Sequence, residues 1–314
     1  MPLYRERMTP TADTVLAVHS VTKSFGNRRV LDELSFSVFG GRLTGFVGSN
    51  GAGKTTAMRV ILGVLAADSG TVSLNGESLS TETRRRFGYM PEERGLYPKM
   101  RVLEQIVYLG RLHGMSAPAA RESARSLLTR LGLGERLTDT VQSLSLGNQQ
   151  RAQIAAALVH SPSVLVLDEP FSGLDPTAVD TVVSVLSEFA ANGAPVIFSS
   201  HQLDIVERLC DDLLIIVDGQ IRASGSREAL RAERGGLRCE LEVSATPLAW
   251  LRAVPGVSNL EISDATGTSE RAIFDVDSVE IGQIVLRDAL SRGSVTRFLR
   301  HHPTLAQIFR EVIQ

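Results

Sequence analysis

The sequence has few cysteines and no excess of charge of one sign. Its two cysteines, Cys210 and Cys239, are too few for a disulfide framework and lack the Cys-x-x-Cys spacing of a metal site. We therefore expect a reducing compartment and no zinc site. The 33 lysines and arginines are balanced by 35 acidic residues. This balance excludes a global cationic field for nucleic acid or an anionic membrane, and the basic clusters at 28–29 and 84–86 fit solvated turns or helix faces.

Apolar runs long enough to span a membrane are also absent. The longest, such as residues 164–167 and 213–217, have the length of buried strands, whereas a spanning helix needs about 20 apolar residues. The first dozen residues, which include Arg5, Arg7 and Pro10, lack the apolar centre of a secretory signal. We expect a loose tail over residues 1–14 and a protein that neither crosses a membrane by itself nor is exported.

The length and the order of patterns predict two domains, because 314 residues exceed the usual size of one domain. From residue 15 to 225, short β-branched runs alternate with helical patterns, which is typical of an α/β fold. The alternating segments 15–21 and 34–38 predict an antiparallel sheet, and the helical periodicity of residues 93–143 predicts an inserted helical subdomain. Continuous apolar runs predict strands buried on both faces at residues 43–47, 164–167, 196–199 and 213–217.

The pattern changes after Gly225, and residues 226–314 are predicted to form a small second domain. A charged connector over residues 227–238 leads into strands and helices whose order is that of a ferredoxin-like domain. The predicted strands lie at residues 239–243, 257–262, 271–276 and 295–299. The predicted helices lie at residues 247–253, 278–291 and 304–313.

Residues 48–55 fit the pattern of a phosphate-binding loop, placed after an apolar strand and before a helical segment that begins near Thr56. Free N–H groups and the helix dipole favour negative charge at such a helix N-terminus. In this pattern Lys54 reaches the β and γ phosphates and Thr55 ligates magnesium. A glycine-rich turn with a solvated lysine is the alternative. The residues expected to contact ATP are Ser49, Asn50, Gly51, Ala52, Gly53, Lys54, Thr55 and Thr56.

Two carboxylates, Asp168 and Glu169, follow the predicted strand at 164–167, on the sheet edge where α/β proteins bind ligands. Asp168 would join the magnesium shell, and Glu169 would orient or deprotonate the attacking water. A turn ahead of Pro170 is the alternative for an isolated Asp-Glu pair. The phosphate loop favours the catalytic interpretation.

Residues 144–150, with the sequence LSLGNQQ, precede a helical run and resemble the signature motif of the ABC ATPases. Ser145 and the backbone of Gly147 are expected at a helix N-terminus, which is a second site for phosphate, and an ordinary serine cap is the alternative. In that family the signature residues, here Ser145, Gly147 and Gln149, close over ATP bound to a partner subunit. The resemblance therefore implies a head-to-tail dimer, with a second copy as the expected partner.

Further motifs of this family follow in the expected order. Residues 172–175 resemble the D-loop, and Asp175 also fits a helix N-cap before a proline. His201 resembles the switch histidine that senses the γ-phosphate and positions Glu169 or its water, although a lone histidine is more often a surface residue. Phe25 resembles the aromatic residue that stacks on adenine, with packing in the core as the alternative.

The chain departs from the usual ABC pattern at Glu92 and Leu146. Glu92 occupies the position of a glutamine that contacts magnesium and the transmembrane partner. A carboxylate can still ligate magnesium, but it cannot donate a hydrogen bond while ionised. Leu146 replaces the commoner glycine of the signature. Residues 91–98 and 144–150 resemble the exporter branch that includes sodium-extrusion and drug-resistance ATPases, which also commonly carries a small C-terminal domain.

The resemblance predicts an α/β P-loop ATPase of the ABC type, with a mixed sheet, an antiparallel β subdomain and an inserted helical subdomain. A small α+β ferredoxin-like domain follows. The resemblance also implies ATP and Mg²⁺ as cofactors and an integral membrane permease as partner. Through that permease it implies a cytoplasmic location at the inner face of the membrane. No nucleic-acid partner is expected. The permease is expected to dock near Leu96, Tyr97 and Met100, unless these side chains fill the core of the subdomain.

We therefore expect an ATP-hydrolysing subunit that drives an exporter, and two other functions are weighed against it. A soluble ABC ATPase that remodels ribosomes or DNA is disfavoured. Ribosomal members usually fuse two ATPase cores, and chromosome and repair members split one core with a long coiled coil; this sequence has neither feature. A regulator that binds a ligand in residues 239–314 would need a pocket for which the sequence gives no pattern.

Overall fold

The computed structural model describes residues 14–93, 95–234, 237–244, 246–264, 269–301 and 308–309. The chain divides into two compact units between Ser226 and Arg227. The strands of the first unit are β1 Val15–Phe25, β2 Arg28–Phe39, β3 Leu43–Val47, β4 Ser69–Leu74, β5 Glu77–Ser78, β6 Phe87–Met90, β7 Val164–Leu167, β8 Val196–Ser200, β9 Asp212–Val217 and β10 Gln220–Ser226. Its α-helices are α1 Lys54–Ile61, α2 Thr81–Arg84, α3 Val102–Leu112, α4 Ala117–Arg130, α5 Leu146–Leu158, α6 Pro176–Ala191 and α7 Leu203–Leu209.

A six-stranded mixed sheet forms the centre of the first unit, in the order β10-β9-β3-β8-β7-β6. All neighbours in it pair in parallel except β9 and β10. Every residue of β3, β7 and β8 is buried. The expectation of strands buried on both faces is therefore confirmed, because helices cover a parallel sheet on either side.

A four-stranded antiparallel sheet, β2-β1-β4-β5, packs on the same apolar core. The predicted segments 15–21 and 34–38 are strands of this sheet, but β1 and β2 reach further, to a turn at Gly26 with φ 59°. Phe25 pairs with Arg28 across this hairpin. The sequence pattern missed the extension because backbone pairing continues here through polar residues that break the apolar alternation.

Helices α3 and α4 lie within the residues predicted as a helical subdomain, and both have one buried stripe. In α3 Leu103 and Ile106 are buried, whereas Val107 is half-buried. In α4 the buried residues are Ala120, Ala124 and Leu128, each four residues after the last, and Leu127 is half-buried. Such a stripe at spacings of three and four residues is what packs one helix against the next.

The second unit has four strands, β11 Leu237–Ser244, β12 Val257–Asp264, β13 Ser269–Val276 and β14 Ser294–His301, with the helices α8 Arg227–Arg234 and α9 Val279–Arg292. The strands form one antiparallel sheet in the order β12-β13-β11-β14. This order, with α9 between β13 and β14, matches the predicted ferredoxin-like topology. The α/β core with a small α+β domain is therefore confirmed.

Two predictions in the second unit were wrong. The helix expected over residues 247–253 is a single 3₁₀ turn, Ala249–Ala253, whose N-cap has no side-chain hydrogen bond. A short segment without a capping side chain stays in the 3₁₀ form, which proteins use in short pieces, whereas the short helix α2 is capped by Ser80. The connector expected over residues 227–238 contains helix α8, in which Leu230 is buried. The predicted helix at residues 304–313 falls outside the described residues, apart from Ile308 and Phe309.

Two histidines that follow helices of the first unit are in contact with each other. The rings of His113, after α3, and His160, after α5, are stacked with centroids 3.6 Å apart. His160 Nε2 lies 3.2 Å from the carbonyl oxygen of Phe87. Burial, and to a smaller extent the neighbouring His113, lowers the pKa of His160 to about 4. The folded protein therefore holds this imidazole neutral.

We expect the free energy of unfolding to fall as the pH falls from 7 to 4.5, partly through His160. In this range the unfolded chain binds a proton at the imidazole and the folded chain does not, which costs about 1.4 kcal/mol per pH unit. His160→Asn should make the difference in unfolding free energy between pH 7 and pH 4.5 smaller by about 2–3 kcal/mol, measured by urea unfolding. The exposed His19, changed to Asn, is the control, and an equal pH dependence in both variants would contradict this assignment.

Candidate functional site

The phosphate-binding loop lies between β3 and α1. Helix α1 begins at Lys54, two residues before the predicted start near Thr56. Gly53, with φ 110°, ends the loop in a conformation that other residues rarely adopt, and the helix follows directly. The N–H groups of the first helical turn therefore open toward the loop, as anion binding requires.

Lys54 bridges the loop through its side chain. It is 8% exposed, and its Nζ donates hydrogen bonds to the carbonyl oxygens of Gly48 at 2.7 Å and Ser49 at 3.1 Å. Burial lowers the pKa of Lys54, and the carboxylates of Glu169, Asp168 and Glu92 act in the opposite direction. Lys54 is thus a desolvated cation that faces three carboxylates.

Asp168 and Glu169 follow β7, as predicted, and both are buried. Asp168 Oδ1 accepts a hydrogen bond from Ser199 Oγ at 2.5 Å, whereas Oδ2 is buried without a hydrogen-bond partner among the described residues. Glu169 has a left-handed backbone, with φ 51°. Its N–H donates to Ser199 Oγ at 2.8 Å, and its carbonyl oxygen accepts from Gln150 Nε2 at 2.9 Å.

His201 contacts Glu169, the residue it was expected to position. His201 Nδ1 lies 2.9 Å from Glu169 Oε2, and the His201 side chain is 55% exposed whereas that of Glu169 is 10% exposed. The histidine therefore covers the carboxylate from the solvent side. His201 directly follows the last residue of β8, so the sheet fixes the position of its backbone.

These residues surround one cavity of about 420 Å³. Its lining includes most of the predicted loop residues together with all three predicted carboxylates and His201. It also includes Arg28 and Val30, which the sequence did not single out for the site. The lining residues are Arg28, Val30, Asn50, Gly51, Gly53, Lys54, Thr55, Thr56, Glu92, Asp168, Glu169 and His201.

Three residues expected near ATP do not line this cavity. The carbonyl oxygen of Ser49 accepts a hydrogen bond from Lys54, and Ala52, within the loop, is buried. Phe25 is 52% exposed, with Lys23 Nζ 5.7 Å from its ring centroid. The alternative of core packing for Phe25 is therefore wrong, and stacking on adenine stays a prediction.

The signature and D-loop residues also lie outside the cavity lining of their own chain. Ser145 is the N-cap of α5, and its Oγ accepts from the N–H of Asn148 at 3.4 Å. A side chain on Gly147 would come within 3.3 Å of the carbonyl oxygen of Gly173, so the signature packs closely on the D-loop. Gln149 Nε2 donates to Leu144 O at 3.0 Å. Asp175 caps α6 by accepting from the N–H of Ala178 at 2.9 Å.

The cavity has the donors that a magnesium ion bound with nucleotide needs. Asp168 Oδ2 is a buried carboxylate oxygen with no hydrogen bond among the described residues, and Thr55 and Glu92 supply further oxygens on the same lining. No group of three His, Cys, Asp or Glu side chains among the described residues forms a metal cluster. Magnesium fits such a site because it uses one or two protein oxygens together with phosphates and water.

A phosphate loop beside a buried Asp-Glu pair, with a histidine over the glutamate, defines the class of P-loop ATPases. The family is set by comparison with known proteins. The sequence profile of the ABC transporter family matches residues 31–172. The profile described as ATP-binding protein DrrA1-3-like, C-terminal domain, matches residues 225–313.

Relatives match almost the whole chain. The uncharacterized ABC transporter ATP-binding protein YhaQ of Bacillus subtilis (strain 168) is 33% identical over 299 residues, which cover 95% of this chain and 98% of that protein. The linearmycin resistance ATP-binding protein LnrL of the same organism is 30% identical over 275 residues, which cover 86% of this chain and 88% of that protein. A solved structure of an ATP-binding subunit of an ABC transporter is 32% identical with a TM-score of 0.65, covering 70% of this chain and 93% of that chain.

The chain therefore belongs to the ABC transporter ATP-binding proteins, which are ATPases that hydrolyse ATP for transport. The resemblance drawn from residues 144–150 and 172–175 is confirmed, and so is the one to a family with drug-resistance members. Within the described residues, no helix combines the length and the apolar character needed to cross a membrane.

Ser199 is a residue of this site that sequence reasoning missed, and we expect it to position both carboxylates. Ser199→Ala removes the donor to Asp168 and the acceptor for the Glu169 N–H, both of which are buried. ATP turnover should fall about 10- to 100-fold, the size usual for a residue that orients metal ligands. ATP binding measured without metal should stay within about threefold of the wild type, because the phosphate loop is unchanged.

The neighbouring Ser200 provides the matched control. It is equally buried, but its Oγ accepts from the N–H of Gln202, away from both carboxylates. Ser200→Ala should therefore keep most of the turnover. Equal losses in the two variants would show that a general weakening of β8 is responsible, and the positioning role would be rejected.

Proposed function

We propose that this chain is the ATP-hydrolysing subunit of an ABC exporter, in which two copies close head-to-tail over two ATP molecules and drive a separate transmembrane permease. The observation that carries the proposal is the division of the ATP-binding motifs. The phosphate loop, the carboxylates and His201 share one cavity, whereas the helix N-terminus at Ser145 lies outside that lining. A second copy supplies the missing side of the site.

ATP binding rests on the loop and on Lys54. The N–H groups at the start of α1 bind the phosphates, and Lys54 exchanges its two carbonyl partners for phosphate oxygens. Thr55 and Asp168, with Glu92 beside them, would hold Mg²⁺, which would supply positive charge to the phosphates. Phe25 at the tip of the β1–β2 hairpin stacks on the adenine.

Hydrolysis needs a base next to the terminal phosphate, and Glu169 is placed for this role. Its carboxylate is 10% exposed, lines the cavity and is held through the backbone by Ser199 and Gln150. It orients the attacking water and accepts its proton at a carboxylate oxygen. His201, 2.9 Å from Oε2, keeps this carboxylate facing the phosphate and limits access of bulk water.

Dimer closure uses the N-terminus of α5. Ser145 and the N–H groups of the first turn of α5 form a second anion site, and Leu146 beside them is 56% exposed. The close contact between Gly147 and Gly173 links this surface to the D-loop that follows Glu169. In the closed dimer, a phosphate of the ATP bound to the partner would cover both the N-terminus of α5 and the D-loop.

The export direction and the permease are supported by the relatives and by an exposed surface. LnrL is named for linearmycin resistance, and residues 225–313 match the DrrA1-3-like domain. Tyr97 is 59% exposed, so it does not fill the subdomain core, whereas Leu96 and Met100 are half-buried. We assign the permease contact to Tyr97 and, through the permease, a place at the cytoplasmic face of the membrane.

A soluble ATPase that remodels ribosomes or DNA is the second candidate, and no observation favours it. The chain covers 98% of YhaQ and 88% of LnrL, so it has the domain arrangement of transporter subunits. The balance of 33 basic and 35 acidic residues also gives no cationic field for nucleic acid.

Glu169→Gln tests hydrolysis and dimer closure together. The amide cannot accept the proton of water, so turnover should fall by more than about 100-fold while ATP still binds. The variant should run as a dimer on size exclusion with ATP and as a monomer without it. Ser145→Arg added to this variant should bind ATP but stay a monomer, because the arginine occupies the anion site at α5. An ATP-bound monomer of the Glu169→Gln variant would refute the sandwich arrangement.

Glu93→Gln is the matched control for the same chemical change. Glu93 is exposed next to Glu92 but does not line the cavity. Its turnover should stay within about twofold of the wild type, as for most surface substitutions. A loss as large as that of Glu169→Gln would point to net charge instead of a catalytic base.

We expect Tyr97 to contact the permease. A photocrosslinker at position 97, in the complex purified from membranes, should capture an integral membrane protein. The same probe at Leu112, which is 65% exposed on α3, is the comparison for nonspecific capture. Crosslinks from position 97 to soluble proteins alone would place the permease elsewhere.

A further inference from the structure

Arg28 is the first residue of strand β2 and lines the same cavity as the carboxylates that follow β7. It pairs across the hairpin with Phe25. A side chain on Gly51 would come within 3.7 Å of Arg28 Nη2, so the guanidinium lies against the phosphate loop. The hairpin therefore brings a cation to a loop that is distant in sequence.

The neighbouring Arg29 differs in its contacts. Successive residues of a strand point to opposite faces, so the two arginines diverge. Arg29 Nη1 forms an ion pair with Asp32 Oδ1 at 2.5 Å, and Asp32 also accepts from Gln220. The side chain of Arg28 has no ion pair or hydrogen bond within the part of the chain that the structure describes. Arg28 is exposed at the cavity lining, and its guanidinium donors have no partner among the described residues.

The charges of the cavity show what such donors can bind. Among the described residues, its lining has three carboxylates, Glu92, Asp168 and Glu169, and two fixed cations, Lys54 and Arg28. Lys54 already donates to two carbonyl oxygens of the loop. An anionic phosphate chain therefore gains little attraction from the lining unless Arg28 contributes.

We propose that Arg28 is a phosphate-binding residue of the nucleotide site, supplied by the β1–β2 hairpin. This inference rests on the proposed assignment of the cavity to ATP. The planar guanidinium forms paired hydrogen bonds with phosphate oxygens, and its position against Gly51 directs it to the phosphate chain. Phe25, on the other strand of the same turn, is left for the base.

Equilibrium binding in the presence of EDTA tests this role without magnesium and without turnover. The probes are a fluorescent ATP analogue and inorganic tripolyphosphate, which competes for the phosphate positions but has no base. Arg28→Gln should weaken the binding of both probes by about five- to tenfold, less than for a buried charge-assisted hydrogen bond because Arg28 is exposed. Arg28→Lys, which keeps the charge and loses the fork geometry, should recover part of both affinities.

Arg29→Gln is the matched control and should leave both affinities within about twofold, because Arg29 is paired with Asp32 outside the cavity. If Arg28→Gln weakens the binding of the ATP analogue but not that of tripolyphosphate, the arginine contacts the base and the phosphate role is rejected. Unchanged ATP affinity rejects any contact with the nucleotide.

Lys54→Ala separates these outcomes from failure of the site itself. It should abolish binding of both probes if the cavity holds ATP. Unchanged binding in this variant would remove the ATP assignment of the cavity, whatever Arg28 does. A binding loss in Arg28→Gln that is accompanied by a lower unfolding midpoint, and is absent in Arg28→Lys, would still support the charge contact.

Discussion

The parallel pairing of β3, β8 and β7 is the constraint on which the active site depends. Val47 pairs with Ser200, and Leu167 pairs with Phe198, so the three strands end at one edge of the sheet. The phosphate loop follows β3, the two carboxylates follow β7 and His201 follows β8. Because register in a sheet is set by the strands as a whole, a shift of one residue would separate the phosphate site from the carboxylates.

This register also explains how an unusual backbone conformation is kept at Glu169. A left-handed backbone in a residue other than glycine costs on the order of 1–3 kcal/mol and persists only where neighbours hold it. Ser199 holds the N–H of Glu169, and Gln150 holds its carbonyl oxygen. Ser199 belongs to β8, but Gln150 belongs to α5, the helix that begins at the signature. The position of Glu169, the proposed base, therefore depends on the signature helix of its own chain.

Much of the fold and site followed from local sequence patterns. The loop at residues 48–55, the pair Asp168 and Glu169, and His201 could be predicted because each is a contiguous motif beside an apolar strand. Ser199 and Arg28 could not, because their roles depend on which strands lie side by side and on which face a residue points. The second-last residue of β8, two positions before the predicted switch histidine, would have been a signal for Ser199, because its side chain meets Asp168 at the end of the neighbouring strand β7.

Glu92 lines the cavity and lies five residues before Tyr97, which we assign to the permease contact. Gln153 of α5 donates to the carbonyl oxygens of Pro91 at 2.8 Å and Glu93 at 3.1 Å, on either side of Glu92. The signature helix therefore holds both the backbone of Glu169 and the segment that carries Glu92. A movement of this helix on dimer closure would shift the two carboxylates together. With a carboxylate at position 92, such a movement changes the electrostatic field at Lys54 and at the phosphates, which a neutral amide would do only weakly.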